Sequence, residues 1–332
     1  GTNQRRHTNA IPIAHDPERP FLNHKPNDMN ESLLLDNIPG DQTIFAWNGI
    51  AFRIPKYWEL ASNQLVKGVS RIVLEDDTGP RLEIDWTRPN SKQETETFRK
   101  RVIAFIKVIN DAAAASEEIK DIPRQWTAHL YKMADGTALA TAYVVPENQG
   151  EPFAFFRIHF PKNRREIPAI CLQNIARSFQ EFYDKPAPWS FLDVNFTLDN
   201  RFKLASTSLL AGQKLLAFEW RLRRLFIWHF SMADYITRNN TPAKWCADFL
   251  NRSKLLPAPK WMPKDDTSII WNRKKLFCLG QFEEIGRLCY RYKAGINVQN
   301  DKNLIRLIVF NYRKNSDLEL IDNLLSQQDN KK

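Results

Sequence analysis

The sequence is short of the residues that most often carry chemistry, with 4 cysteines, 11 glycines and 6 histidines among 332 residues. The glycines form neither a GxGxxG fingerprint nor a Walker-type phosphate loop, so the backbone cradle that a bound nucleotide needs is missing. The histidines are scattered and make no HExxH pair, which removes the commonest zinc-hydrolase signature. Cys171, Cys246, Cys278 and Cys289 form no CxxC pair, and three of them sit in apolar stretches. They read as buried thiols in a reducing, cytoplasmic setting rather than as a disulfide framework. No apolar stretch reaches the roughly 18 residues of a membrane span. Residues 1–42 hold no apolar core of a signal peptide, and a processed upstream signal stays open.

What is present is an internal likeness. Residues 52–86 laid over residues 196–230 match without a gap. Trp58-Glu59-Leu60-Ala61-Ser62 falls on Phe202-Lys203-Leu204-Ala205-Ser206, and Leu65, Gly68 and Glu75 fall on Leu209, Gly212 and Glu219. Ile72 and Leu74 match Leu216 and Phe218, and these positions with Leu60, Leu65, Leu204 and Leu209 form the expected core. The predicted organisation is a polar arm over 1–42, a first α+β module over 43–185, a second over 186–326 and a polar tail over 327–332. The formal charge of +10 is unevenly shared: 24 Lys+Arg face 24 Asp+Glu through Pro186, whereas 24 face 14 from Ala187 onward. A neutral module beside a basic one implies that the two contact different things.

Within each module, hydrophobic periodicity predicts strands, a helix, more strands and a closing helix. The first module has a hairpin at Asn48-Gly49 and strands over 71–74 and 81–86. A helix over 95–117, strands over 126–133, 138–145 and 153–160, and a helix over 167–183 follow. The second has strands over 194–198, 214–219 and 225–230, a helix over 243–250, strands over 268–271, 275–279, 288–292 and 304–312, and a helix over 317–326. The stretch 209–236 is ambiguous by local propensity, and its match to the first module favours strands. The expected fold is α+β, two tandem repeated modules, each a mainly antiparallel sheet flanked by two helices. The element order and the opening Gly49-Ile50-Ala51-Phe52-Arg53-Ile54-Pro55-Lys56-Tyr57-Trp58 resemble the fold shared by the photosystem II extrinsic protein PsbP and the Ran-binding Mog proteins. Members of that group often serve as docking or assembly factors, so the resemblance implies binding rather than catalysis. It carries no ligand residues onto this chain.

Each candidate for chemistry has a plainer reading. His7, His15 and His24 lie on the polar arm; His129, His159 and His229 fall on predicted strands, without a nucleophile elbow beside them. Glu75-Asp76-Asp77 with Glu83 and Asp85 is the densest acidic cluster, and Glu83 and Asp85 share one strand face. It suits a hard cation or a metal-dependent hydrolase, and equally a solvated hairpin. The matching hairpin is basic and aromatic: Trp220-Arg221-Leu222-Arg223-Arg224-Leu225-Phe226-Ile227-Trp228. Such interleaving suits phosphate contact with base stacking, a protein interface anchored on Trp and Arg, or a strand pair with arginines on its wet face. Arg273-Lys274-Lys275 and Arg287 with Arg291 and Lys293 add basic clusters. Trp58, Trp86, Trp126, Trp228 and Trp271 are expected in packing roles.

The composite expectation is a non-enzymatic binding or scaffold protein, without a cofactor or metal. It docks an acidic protein partner or a phosphate-bearing surface through Trp220, Arg221, Arg223, Arg224, Arg273, Lys274 and Lys275. Nucleic-acid association through the same face, and a hydrolase at the acidic hairpin, are the alternatives.

Overall fold

The computed structural model describes residues 39–148, 150–253, 255–256, 261–265, 269–272, 291–312, 314–320 and 324. Pro39–Lys332 is one compact unit. Residues 1–38 of the expected polar arm and the strand over 275–279 lie outside the described residues, as do Cys278 and Cys289.

The chain opens with β1 (Gln42–Trp47) and β2 (Ile50–Pro55), joined at Asn48 and Gly49 with φ of 46° and 86°. Both residues of a tight hairpin turn of this kind need positive φ, which explains the Asn-Gly pair. Next come β3 (Glu59–Val66), β4 (Val69–Asp76) and β5 (Gly79–Thr87), all joined by short turns. Helix α1 (Lys92–Ala112) starts at Ser91, whose hydroxyl accepts from the Glu94 amide while Glu94 accepts from the Asn90 amide. The hydroxyl satisfies one of the four open donors at the helix start, and Glu94 ties down the amide that precedes the cap. The helix ends sooner than the expected Glu117. Ala113 turns extended, and β6 (Ala115–Glu118) pairs its backbone with β7 (Trp126–Lys132) instead. Then follow β8 (Ala138–Val144), β9 (Phe153–Phe160) and α2 (Pro168–Ser178), which also stops short of its expected end because β10 (Gln180–Glu181) joins β2.

The second half follows in a comparable order of strands and helices. β11 (Ala187–Phe191) and β12 (Val194–Leu198) form a hairpin, followed by β13 (Lys203–Leu210), β14 (Gln213–Trp220) and β15 (Arg223–Ser231). The ambiguous stretch is therefore strand as far as Ser231. A single-turn α3 (Ala233–Ile236) and α4 (Pro242–Arg252) come next. Four strands complete it: β16 (Trp261–Pro263), β17 (Ile269–Asn272), β18 (Arg291–Gln299) and β19 (Leu304–Tyr312). A 3-10 turn over Asn315–Asp317 starts the last described segment.

Three antiparallel sheets result, and with the helices they make an α+β protein. A central five-stranded sheet runs β10-β2-β1-β11-β12, so hairpins from both halves meet in it through Ala46 opposite Ser190. Two seven-stranded sheets run β3-β4-β5-β9-β8-β7-β6 and β13-β14-β15-β19-β18-β17-β16. Their registers correspond in detail. Glu59 and Leu60 face Glu75 and Leu74, Lys203 and Leu204 face Glu219 and Phe218, and both edge strands bulge at the next residue, Ala61 and Ala205. The correspondence breaks once. Glu219 faces Arg224 and Phe218 faces Leu225, whereas Glu75 faces Pro80 and Leu74 faces Leu82. Arg81 is an extra, bulged residue, so the gapless match of 52–86 with 196–230 is corrected by one position from there on. In register, Glu83, Asp85 and Trp86 correspond to Phe226, Trp228 and His229, not to Ile227, His229 and Phe230.

The main core lies between the central sheet and the inner faces of the two larger sheets. Phe52 meets Phe156 edge to face at 5.8 Å, and Trp189 meets Phe218 at 5.0 Å. Leu60, Ile72, Leu74, Leu216 and Phe218 are buried in it, as expected. Leu65 is not: it is 64% exposed on the outermost strand, and Leu204 and Leu209 are half-buried. Trp58, Trp86, Trp126 and Trp228 are all buried.

Candidate functional site

The basic hairpin of the second half is a clamped structure. Trp220 ends β14 and Arg223 begins β15, leaving Arg221 and Leu222 as the two turn residues, with Arg221 at φ 54°. The Trp220 ring carries two guanidinium groups, Arg201 at 4.4 Å and Arg223 at 4.3 Å from its centroid. Each cation is in turn held by a carboxylate. Arg223 donates from Nε and Nη2 to the two oxygens of the buried Asp317, both at 3.0 Å, and Arg201 donates in the same forked way to Asp199. Arg224 pairs with Glu219 at 3.2 Å. The expected open patch of three arginines is thereby corrected: Arg223 and Arg224 are spent on neighbouring carboxylates, and only Arg221 of the three is exposed, beside the exposed Leu222. Arg273, Lys274, Lys275 and Arg287 lie outside the described residues.

The acidic hairpin of the first half is also closed on itself. The bulged Arg81, its side chain 4% exposed, donates to Asp76 at 2.6 Å and to Glu166 at 2.7 Å. Glu166 further accepts from the Tyr57 hydroxyl at 2.6 Å and from the Trp58 indole at 3.3 Å. Burial raises the Asp76 carboxyl, but bonds from Thr78 and Arg81 outweigh it and leave the group below its ordinary value. Glu166 behaves likewise, its burial outweighed by bonds from Tyr57 and Arg81. The Tyr57 hydroxyl is pushed up by burial and by Glu166.

Glu83 and Asp85 share the outer face of β5, as alternation requires, and both are occupied. Arg157 from β9 donates to Asp85 at 2.9 Å and lies 3.1 Å from Glu83. Arg71 grips Asp85 through Nε and Nη2, and His159 bonds Glu83 at 2.8 Å. The His159 bond is the main cause that holds the Glu83 carboxyl below its usual range. His159 is thus the partner of a carboxylate rather than a bare strand-face histidine. Among the described residues, no three His, Cys, Asp or Glu side chains gather as metal ligands.

His229 and Arg306 form a buried pair, each 1% exposed. Arg306 only donates, so His229 Nε2 accepts from its Nε at 3.2 Å and the imidazole proton sits on Nδ1, which has no partner among the described residues. Burial, and then Arg306, push the imidazole well below its ordinary value. The Arg306 Nη2 reaches the Asn195 carbonyl at 2.7 Å and ties β19 to the central sheet.

Sequence reasoning passed over Arg81, Arg157, Glu166 and Asp317. The signal was available in two of them: a lone cation inside an apolar strand, such as Arg157 in Phe153–Phe160, needs a buried partner. Glu166 lies in the loop before α2 and Asp317 ends a 3-10 turn, where nothing local announces a distant guanidinium.

No family model matches the sequence, and no curated protein matches it. Among solved structures, the Ran-binding protein Mog1p of Saccharomyces cerevisiae covers 42% of this chain and 96% of its own, with 14% identity and a TM-score of 0.27. A point mutant of protein Mog1 gives 42% and 96%, with 12% identity and a TM-score of 0.28. The apo immunity protein TplEi of T6SS from Pseudomonas aeruginosa covers 86% of this chain and 95% of its own, with 10% identity and a TM-score of 0.32. Likenesses this remote carry nothing about activity or partner. No helix among the described residues is long and apolar enough to cross a membrane.

Proposed function

We propose that this protein is a non-enzymatic binding protein made of two copies of one PsbP- or Mog-like module, bounded at 43–185 and 186–326. It holds an acidic protein partner through the β14–β15 hairpin. One observation carries the reading: Trp220 is fixed between two guanidiniums that are themselves fixed by Asp199 and Asp317, so the tip Arg221-Leu222 is presented on a rigid support. Arginine next to an exposed aliphatic on a turn whose flanks are held is the composition of a binding anchor, because little backbone order remains to be gained on docking. The charge excess from Ala187 onward favours an acidic partner. Duplication is supported by the paired registers, and by two contacts between residues 144 apart: Ala46 opposite Ser190, and Thr207 donating to Asn63 at 2.9 Å. Contacts of a residue with its own counterpart are those of an isologous, twofold interface. The free, buried Cys171 and Cys246, with thiols pushed up by burial to about 12, fit a reducing cytoplasmic setting.

The test is fluorescence anisotropy with a labelled polyglutamate peptide and with a single-stranded oligonucleotide, each across a salt series. Binding of the peptide that Arg221→Glu abolishes is the expected result. Equal peptide binding by the variant would overturn the hairpin assignment. Stronger oligonucleotide binding, with a log–log salt slope of about 0.7 per phosphate contacted, would move the function to nucleic acid.

A further inference from the structure

The first half is neutral in sum, yet its charge is unevenly placed. Its most enclosed carboxylates are held by arginines: Asp85 by Arg71 and Arg157, Asp76 and Glu166 by Arg81. Around α2 the reverse holds. Lys120, Arg124, Lys162, Arg164, Arg165 and Arg177 make no ion pair among the described residues, and all but the half-buried Arg164 are exposed. Local bonds gather them on one side of the molecule. The Lys162 stem lies over Gly136, Arg164 reaches the Gly136 carbonyl at 3.5 Å, and Arg165 lies over the Tyr57 ring at 5.3 Å. Further along the helix, Gln173 donates to the Lys120 carbonyl and Arg177 to the Asp121 carbonyl, both at 2.8 Å. These bonds lay the segment that carries Lys120 and Arg124 beside α2.

Two aliphatic side chains stand among these cations. α2 buries Cys171, Leu172, Ile175 and Ala176 on its inner side, which leaves Ile167 at its start 63% exposed and Ile170 49% exposed. Residues three apart share a helix face, and Arg177 returns to that face two turns after Ile170. The support is fixed at its root, because Glu166, just before Ile167, is held at once by Arg81, Tyr57 and Trp58. Asp121 and Asp135 adjoin the cations, and Asp135 is occupied by Thr137. Glu117 is paired with Lys132, and Glu118 faces His129 on the opposite side of the sheet. Positive charge therefore prevails around the two isoleucines.

We propose that this face of α2 docks on an anionic lipid surface, with Ile167 and Ile170 at the acyl boundary and the surrounding lysines and arginines among the headgroups. The occupant follows from charge and composition. Exposed aliphatics ringed by unpaired cations match a surface that is anionic outside and apolar just beneath, and such a surface needs no complementary pocket. A protein partner is gripped mainly by aromatic and arginine anchors, and those are concentrated in the β14–β15 hairpin of the other half. With 11 residues, α2 lies on the surface and does not span it, since a span takes about 20. The proposal does not depend on the hairpin reading. Together the two would let the first half sit on a membrane while the second holds a partner.

The test is co-sedimentation of the full chain with vesicles of phosphatidylcholine alone and of phosphatidylcholine with roughly 30% phosphatidylserine, from ~50 to ~200 mM salt. The expected result is binding to the anionic vesicles only, weakening as salt rises. Lys162→Glu with Arg165→Glu weakens it at least ~10-fold, and Ile167→Asn with Ile170→Asn does so by a similar factor, because stable anchoring takes both signals. Thermal midpoints of both double variants stay in place at sites so exposed, which separates loss of docking from loss of fold. Arg221→Glu leaves vesicle binding unchanged, so failure here and failure of the hairpin reading are told apart. No binding to anionic vesicles at low salt, or binding indifferent to both double variants, would overturn the proposal. Binding that the charge reversal abolishes and the isoleucine change leaves intact would also overturn it, as adsorption without insertion. Capture of labelled polyglutamate through this face, without vesicle binding, would give the face to an acidic protein instead.

Discussion

The outer faces of the two seven-stranded sheets occupy the same place in the same strand order and are built from opposite chemistry. On the first, Arg71 faces Asp85, Val73 faces Glu83, and Glu83 faces Arg157. In the second, the same register puts Leu215 opposite Trp228, Ala217 opposite Phe226 and Phe226 opposite Val309. The polar face is covered in part by α1, whose Phe105 lies over the Arg157 guanidinium at 5.3 Å and whose Val102 packs against the neighbouring Phe153 and Phe155. The apolar face is roofed by α4, which buries Ala243, Cys246, Ala247 and Leu250 over it. The inner faces, by contrast, are mostly apolar in both sheets and join one core, the buried His229–Arg306 pair being the polar exception in the second. Register, bulge and inner face are thus held in common while the outer face varies. Backbone pairing and the shared core tolerate little change, and a face that meets only water or one helix tolerates much.

The largest effect that tests this contrast is Trp228→Ala. The ring is fully buried against Phe226 and Phe249, and its loss is expected to cost about 3–5 kcal/mol, whereas Arg71→Ala, on the outer face of the first sheet opposite Asp85, costs under about 1 kcal/mol. Urea melts of both variants decide it. Equal losses would mean that the two faces are not differently loaded.

Arg81→Met comes next. It leaves Asp76 and Glu166 facing each other in a dry site, although Thr78, Tyr57 and Trp58 still bond them. The expected cost is about 3 kcal/mol at neutral pH, the low end for breaking a buried ion pair. Both carboxyls sit below their ordinary values in the folded chain, so their contribution is present at neutral pH and disappears as pH falls through the folded values. The difference between Arg81→Met and the parent chain should therefore shrink in acid. A difference that is constant with pH would assign the loss to packing.

Much of this architecture is legible in the strand pattern. Val194–Leu198, Phe153–Phe160 and Leu304–Tyr312 begin and end where alternation and apolar runs place them. β3 and β13 are not legible, since Glu59–Val66 and Lys203–Leu210 are edge strands with mixed exposure and a bulge that breaks the two-residue period. Nor is the bulge at Arg81, because an inserted residue in a strand hides inside an alignment that still scores well without a gap. The candidate site divides the same way. Trp220 and its arginines stand out by composition, but Asp317 lies 94 residues from Arg223 and decides whether that arginine is offered or consumed.

A smaller effect separates the halves by pH. His229 is held well below its ordinary value by burial and by Arg306, and it is neutral in the folded chain. The unfolded chain takes up a proton near pH 6.5, so the stability due to the neutral ring is complete above that pH and falls as pH drops below it. The slope is at most ~1.4 kcal/mol per pH unit. His229→Gln, which can still accept from Arg306, should flatten stability between about pH 6.5 and pH 5. Denaturation midpoints that follow one pH curve in parent and variant would show that the ring titrates alike in both states.

The smallest expected effect falls on the residue to which most is assigned. Arg221 is exposed in a turn, and its change to Ala should alter stability by no more than ~0.5 kcal/mol. Positive φ there sets the only structural demand, and Arg221→Gly relaxes it. If the tip is a binding anchor, Arg221→Ala and Arg221→Gly should weaken capture of an acidic peptide alike while leaving the melting temperature in place. Arg223→Ala behaves the other way round. It takes the forked guanidinium from the buried Asp317 and one of two cations from Trp220, so it lowers stability first and binding only through the loosened support. Measured side by side, affinity and melting temperature sort the three arginines into one that is offered and two that hold the fold. A drop in melting temperature for Arg221→Ala as large as that for Arg223→Ala would return the whole hairpin to a structural role.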